Sequence, residues 1–159
     1  MKRLISILLT VLLLSGCTEQ LKEPVSFYYV RSGYAEDMSN IIGTERREAA
    51  GHRGDLSYLM ALYFMGPADE ELLAPLPGNV HILSVTHKGQ EVILHLSETD
   101  DSVTDAQFTV ACACLTLTCL ELTGAETVTI ISGNRSVRLD EENLLLRDLP
   151  AAVITEESK

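Results

Sequence analysis

The apolar and polar positions of the chain divide it into segments of different periodicity. Leu4 to Leu14 is an apolar run broken only by Ser6 and Thr10, with Lys2 and Arg3 before it and Leu14-Ser15-Gly16-Cys17 after it. So short a run cannot cross a hydrocarbon layer of roughly 30 Å, which takes about 20 helical residues. It matches the core of a signal peptide, and its last four residues match a lipobox in which Cys17 is lipidated and becomes the mature N-terminus. Thr18 to Pro24 is a polar tether. Ser26 to Arg31 reads as a first strand, with Ile41 to Glu48 as its partner across the turn region at Gly33.

Beyond Gly51 the period becomes helical. Asp55 is an N-cap, Leu56, Leu59, Met60 and Tyr63 follow at i, i+3, i+4, i+7, and Gly66-Pro67 stops the helix. Ala68 to Gly78 reads as a proline-rich loop. Val80 to His87 and Glu91 to Leu96 then alternate as a hairpin about Lys88-Gly89. That turn sets Val85 opposite Val92, Leu83 opposite Leu94 and His81 opposite Leu96 on one core face.

Thr104 to Leu122 reads as a long helix capped by Ser102 or Thr104. Phe108, Cys112, Leu115, Cys119 and Leu122 line one side; Ala106, Val110, Ala113, Leu117 and Leu120 line the other. The alternation Leu115-Thr116-Leu117-Thr118 also suits a strand. A helix apolar on two faces is covered on both or presents one of them to a partner, which makes Leu115, Leu117 and Val110 candidate interaction residues. Gly124 ends this element. Thr127 to Ser132 is a buried strand, Gly133-Asn134 turns into Ser136 to Leu139, and 150–159 is a tail. No segment after the leader reads as a membrane span.

The expected fold is α+β: a small sandwich of two helices packed on an antiparallel or mixed sheet. Residues 1–16 are a leader, 17–24 a lipidated tether and 25–149 the single domain. With 159 residues there is room for only one.

Charge narrows the partners. The chain has 12 Lys+Arg against 23 Asp+Glu, a net of −11. Cleavage before Cys17 takes Lys2 and Arg3 from the basic set and nothing from the acidic one, leaving −13. Nucleic acid is excluded as a partner, because phosphates call for a clustered basic surface. Anionic headgroups also repel such a chain, so the lipid on Cys17 is what holds it to the membrane. Mutual repulsion disfavours a homo-oligomer and favours a heterologous partner.

Several motifs, in order, resemble those of the GerMN domain family. They are Leu62 to Pro67, Pro75-Leu76-Pro77-Gly78, Ile82 to Val85, Val92 to Ser97, Thr116-Leu117-Thr118 before Gly124, Val128 to Ile131 and Gly133. The resemblance spans about Ser26 to Asp148. It implies a fold similar to ring-building motifs, α+β modules that pack side by side in envelope complexes, and a setting in sporulation or spore germination. It brings no catalytic residues and no cofactor.

Reading the residues themselves agrees with that. His52 lies in a loop, and His81, His87 and His95 lie on the hairpin without converging, whereas a zinc site needs three or four ligands near 2 Å. Cys112 and Cys119 stand about 10.5 Å apart along a helix, too far for a disulfide. Ser57, Ser84 and Ser97 lack a nucleophile elbow. The clusters Asp69-Glu70-Glu71, Glu98 to Asp101 and Asp140 to Glu142 read as solvated loops.

The expected function is therefore a non-catalytic interaction or scaffold lipoprotein, with no metal. It is expected on the outer face of the cytoplasmic membrane of a Gram-positive bacterium, bound to other envelope proteins. The alternative is a surface lipoprotein that binds a small molecule or cell-wall fragment, which needs an aromatic-lined pocket. Cys17→Ser should leave the precursor uncleaved or release the protein from the membrane in cell fractionation. A processed, membrane-held variant would show that Cys17 is not the anchor.

Overall fold

A computed structural model describes residues 24–33, 40–100 and 102–144. The leader, Cys17, the tether up to residue 23 and the tail from residue 145 lie outside the described residues. The first sheet is built on β1 (Pro24–Arg31), which pairs antiparallel along its length with β2 (Ile42–Glu48). β3 (Leu72–Leu73) pairs only with the end of β1, through Val30 and Arg31. Gly43, opposite Tyr29, sits in close approach, since a Cβ there would run into the Leu72 side chain.

The second sheet contains β4 (Ile82–Lys88), β5 (Glu91–Leu96), β6 (Thr127–Ser132) and β7 (Arg135–Asp140), in that spatial order. β5 and β6 are parallel and the other pairs antiparallel, so this sheet is mixed. Two parallel strands need a long crossover, and α2 (Asp105–Thr123) lies within it. The fold is α+β, as the pattern of elements implies, with a second sheet that the pattern does not announce.

Local chemistry fixes the helix ends. α1 (Leu56–Phe64) starts where Asp55 Oδ1 accepts the Tyr58 N–H at 3.0 Å. It stops before Gly66, whose φ is +88°. α2 opens with a reciprocal Thr104–Gln107 capping box and closes on Gly124 in the left-handed region. This settles the helix-or-strand ambiguity of 104–122 in favour of helix. By length and apolarity alone α2 could also cross a membrane, contrary to the sequence reading. Its inner side is instead core, with Phe108, Ala111, Cys112, Leu115 and Cys119 buried between the two sheets.

The hairpin register differs from the sequence expectation. The turn is Gly89-Gln90, with Lys88 opposite Glu91. Glycine at φ +59° in the first central position fits a type II′ turn; a turn at Lys88-Gly89 of type I′ would force Lys88 into positive φ. Val85 consequently faces Leu94. An irregularity between Ile82 and Ser84 sets Ile82 opposite Leu96 and turns Leu83 outward, 68% exposed, while His81 is exposed rather than in the core. The segment read as a loop at 68–78 contains β3, and Glu141 and Glu142 open a short helix, α3 (Glu141–Leu144), rather than a loop.

Side chains, rather than a strand, satisfy the free edge of β1. At Tyr28 the backbone N–H donates to Thr118 Oγ1 of α2 at 3.0 Å, and the carbonyl accepts from the Tyr63 hydroxyl of α1 at 2.8 Å. Tyr63 lies parallel to Tyr29 with ring centroids 4.7 Å apart, and its own carbonyl accepts from the Tyr29 hydroxyl. Burial raises both phenols well above their ordinary pKa, so they stay protonated and able to donate.

A second lock joins β2 to the end of α1. Glu45 and Arg47 form an ion pair. Arg47 also donates to the carbonyls of Leu62 and Gly66 and lies over the Phe27 and Tyr29 rings, 5.7 and 5.9 Å from their centroids. Glu45 Oε2 accepts from the backbone N–H groups of Ala68 and Asp69. Burial pushes the Glu45 carboxyl up in pKa. The Asp69 N–H, the Arg47 side chain and the Ala68 N–H outweigh it, and the net shift is below the ordinary 4.5.

Two outcomes follow from these locks. Thr118→Val keeps the shape but orphans a buried N–H, so it should cost about 1–3 kcal/mol in urea unfolding. The exposed Thr109→Val should cost less than about 0.5 kcal/mol. Equal costs would remove Thr118 from the edge. Because the folded-state pKa of Glu45 is depressed, its stabilisation is complete above the ordinary carboxylate range and lost as pH falls through it. The stability advantage of wild type over Glu45→Gln should therefore shrink between about pH 5 and pH 3. Parallel pH profiles would contradict this.

Candidate interaction surface

α2 has an inner face and an outer one. Leu115 is the centre of the inner face: it is i+7 from Phe108 and i−4 from Cys119, and it is 0% exposed. It cannot touch a partner, so, contrary to the sequence reading, it is not an interaction residue. Val110 and Leu117, seven residues apart on the same side, remain partly exposed, as do Ala113 and Leu120, and Ala106 is exposed. The structure thus separates Leu115 from Val110 and Leu117 and keeps the latter two on one apolar stripe.

Each end of the stripe opens into a hollow. At the α2 N-terminal end a space of about 250 Å³ lies between Ala106 and Val110 on one side and Val30, Ile41, Leu73 and Pro75 on the other. At the C-terminal end a groove of about 620 Å³ has Leu117, Leu120, Ala125 and Tyr28 among its walls. Five carboxylates also line that groove: Glu121, Glu126, Asp140, Glu141 and Glu142. The same field acts on the Tyr28 phenol, whose pKa is raised by burial and then by Glu121 and Glu141. The acidic run at 140–142, read from sequence as an isolated solvated turn, is brought to the α2 face because β7 lies beside β6 and α3 follows it.

A third hollow, of about 570 Å³, escapes the sequence reading. It lies between α1 and the outer edge of β4, with Phe64, Met65, Pro75, Leu76 and Leu83 in its lining. Met65 is 80% exposed. The signal for it was the glycine placement at 89, because the corrected turn and the bulge expel Leu83 from the core.

Among the described residues the histidines and cysteines stay apart from the acidic groove. Among the described residues no three His, Cys, Asp or Glu side chains are placed to hold one metal ion. His52 stacks on Tyr58 with centroids 4.0 Å apart, and His87 Nε2 lies 3.0 Å from the Gly89 carbonyl. Cys112, Cys114 and Cys119 are free and buried, each pushed up to about 12 by burial. Thiols of that kind are neither nucleophiles nor metal ligands at neutral pH. Cys119 Sγ is instead 3.9 Å from Met60 Sδ in the core.

Neither a protein-family model nor a curated protein matches the sequence. Two solved structures are similar to it in fold. One is a Clostridium perfringens chain described as a lipoprotein, at 17% identity over 76% of this chain and 88% of that one, with a TM-score of 0.46. The other holds the tandem GerMN domains of the sporulation protein GerM from Bacillus subtilis, at 16% identity and a TM-score of 0.47. That match covers 74% of this chain and 43% of the tandem, so the chain spans less than half of it.

Proposed function

We propose that the chain is a lipid-anchored, non-catalytic interaction module of a bacterial cell envelope, docking to other envelope proteins through the outward face of α2. The observation that carries this reading is the apolar stripe of Val110, Ala113, Leu117 and Leu120 on a helix whose opposite side is fully buried. A partly exposed apolar stripe of this kind suits a surface that a partner covers. The lipobox-like Leu14 to Cys17 supports an anchor on the outer face of the cytoplasmic membrane of a Gram-positive cell. The GerMN-like motifs favour a role in sporulation or germination. Capture of a small molecule is less well supported, since Tyr28 is the one aromatic side chain lining the α2 groove.

The intact lipoprotein should recover partner proteins from solubilised membranes. Leu117→Asn and Val110→Asn should keep a melting temperature within a few degrees of wild type, because partly exposed positions change stability little. They should nevertheless lose those partners. Leu115→Asn, which buries an amide in the core, should cost several kcal/mol and unfold the domain on mild heating. Full recovery of partners by a folded Leu117→Asn would move the interface elsewhere, first to the β4 edge.

A further inference from the structure

We infer that the groove at the C-terminal end of α2 receives a basic, aliphatic segment of a partner protein, with lysine or arginine on the carboxylate rim and aliphatic side chains on Leu117 and Leu120. This rests on the reading of the α2 outer face as a docking surface and adds the chemistry of what docks.

Charge is the first argument. Five carboxylates and no cationic side chain line the groove. Among the described residues none of the five takes part in an ion pair; the arginines that do, Arg47, Arg135 and Arg138, are committed to Glu45, Asp105 and Glu91. α2 itself ends here, at Gly124, with no basic residue in its last turn. A helix C-terminus carries a partial negative charge that a nearby cation stabilises, and among the described residues no cationic side chain lines this groove.

Shape then selects among cations. The carboxylates are spread over α2, the residue before β6, the end of β7 and α3, and no three of them are placed to hold a single metal ion. Several separated positive charges on one flexible partner suit them better. A free polyamine would supply such charges but would leave the partly exposed Leu117 and Leu120 uncovered. A second copy of this chain, with a net charge of −11, would be repelled. A polypeptide segment that alternates basic and aliphatic side chains satisfies the rim and the floor together.

The test uses the full-length lipoprotein in nanodiscs of neutral lipid, with empty nanodiscs as the blank. The probe is a fluorescent lysine–leucine peptide roughly four helical turns long. Its binding should weaken by about tenfold or more on going from low salt to about 0.5 M. The triple variant Glu121→Gln, Glu141→Gln, Glu142→Gln should weaken it about tenfold at low salt, as should Leu117→Asn. The charge-matched triple Glu70→Gln, Glu71→Gln, Glu98→Gln should leave it unchanged. Equal weakening by the two triples would reduce the effect to general attraction and overturn the inference. Undiminished binding of a peptide with serine in place of leucine, or full displacement by spermine, would overturn it in favour of a small cation. If Leu117→Asn loses membrane partners while the groove triple keeps them, the basic segment is wrong and the docking face stands.

Discussion

The edge of β1 is the constraint from which the arrangement of the helices follows. A buried strand edge presents N–H and C=O groups that must be paired, and each one left unpaired costs about 1–3 kcal/mol. β3 is too short to cover more than Val30 and Arg31. Tyr28 is therefore served by two side chains, Thr118 from α2 and Tyr63 from α1. A hydrogen bond of that kind fixes distance and rotation together. With Thr118 turned toward β1, the period of 3.6 residues puts Leu115 and Cys119 in the core and leaves Val110 and Leu117 outward. Which face of α2 turns outward is thus set by what the other side of the same helix must bond.

Among the described residues the thiols and buried phenols serve packing and hydrogen bonding. Three cysteines act as small apolar residues on α2, the two buried tyrosines are held as hydrogen-bond donors, and the histidines stay at separate surface positions. Charge is handled in the same manner. Glu45 and Arg47 are joined in a partly buried lock on the end of α1, while the carboxylates of the α2 groove remain without cations of their own. One set of charges holds the fold together; the other lines a groove without a cation among the described residues.

The positions of α1 and α2 are legible from sequence because their signals are local. Asp55, Thr104, Gly66 and Gly124 mark ends by caps that depend on a few neighbouring residues. Strand partners are not local. The pairing of β1 with Leu72 and Leu73, and the arrival of Asp140 to Glu142 beside Leu117, join residues far apart in the chain. No period in the sequence encodes such contacts. The hairpin lies between these cases: its existence was clear, but its register depended on whether Gly89 stands first or second in the turn. With Gly89 second in the turn, Leu83 would face the core, and the β4 hollow would lose it. For α2 the two apolar faces were visible, and the buried one was identified only by Thr118 and its bond to Tyr28.

Native-state hydrogen exchange of the Tyr28 amide tests the central claim most directly. If side chains of α1 and α2 close the edge of β1, that amide opens only when the domain unfolds. Its exchange free energy should then equal the global unfolding free energy, and so should those of the inner α2 amides. Exchange of Tyr28 at the rate of an exposed strand edge, with α2 still protected, would mean that the helix does not seal the strand and that its outer face is set by something else.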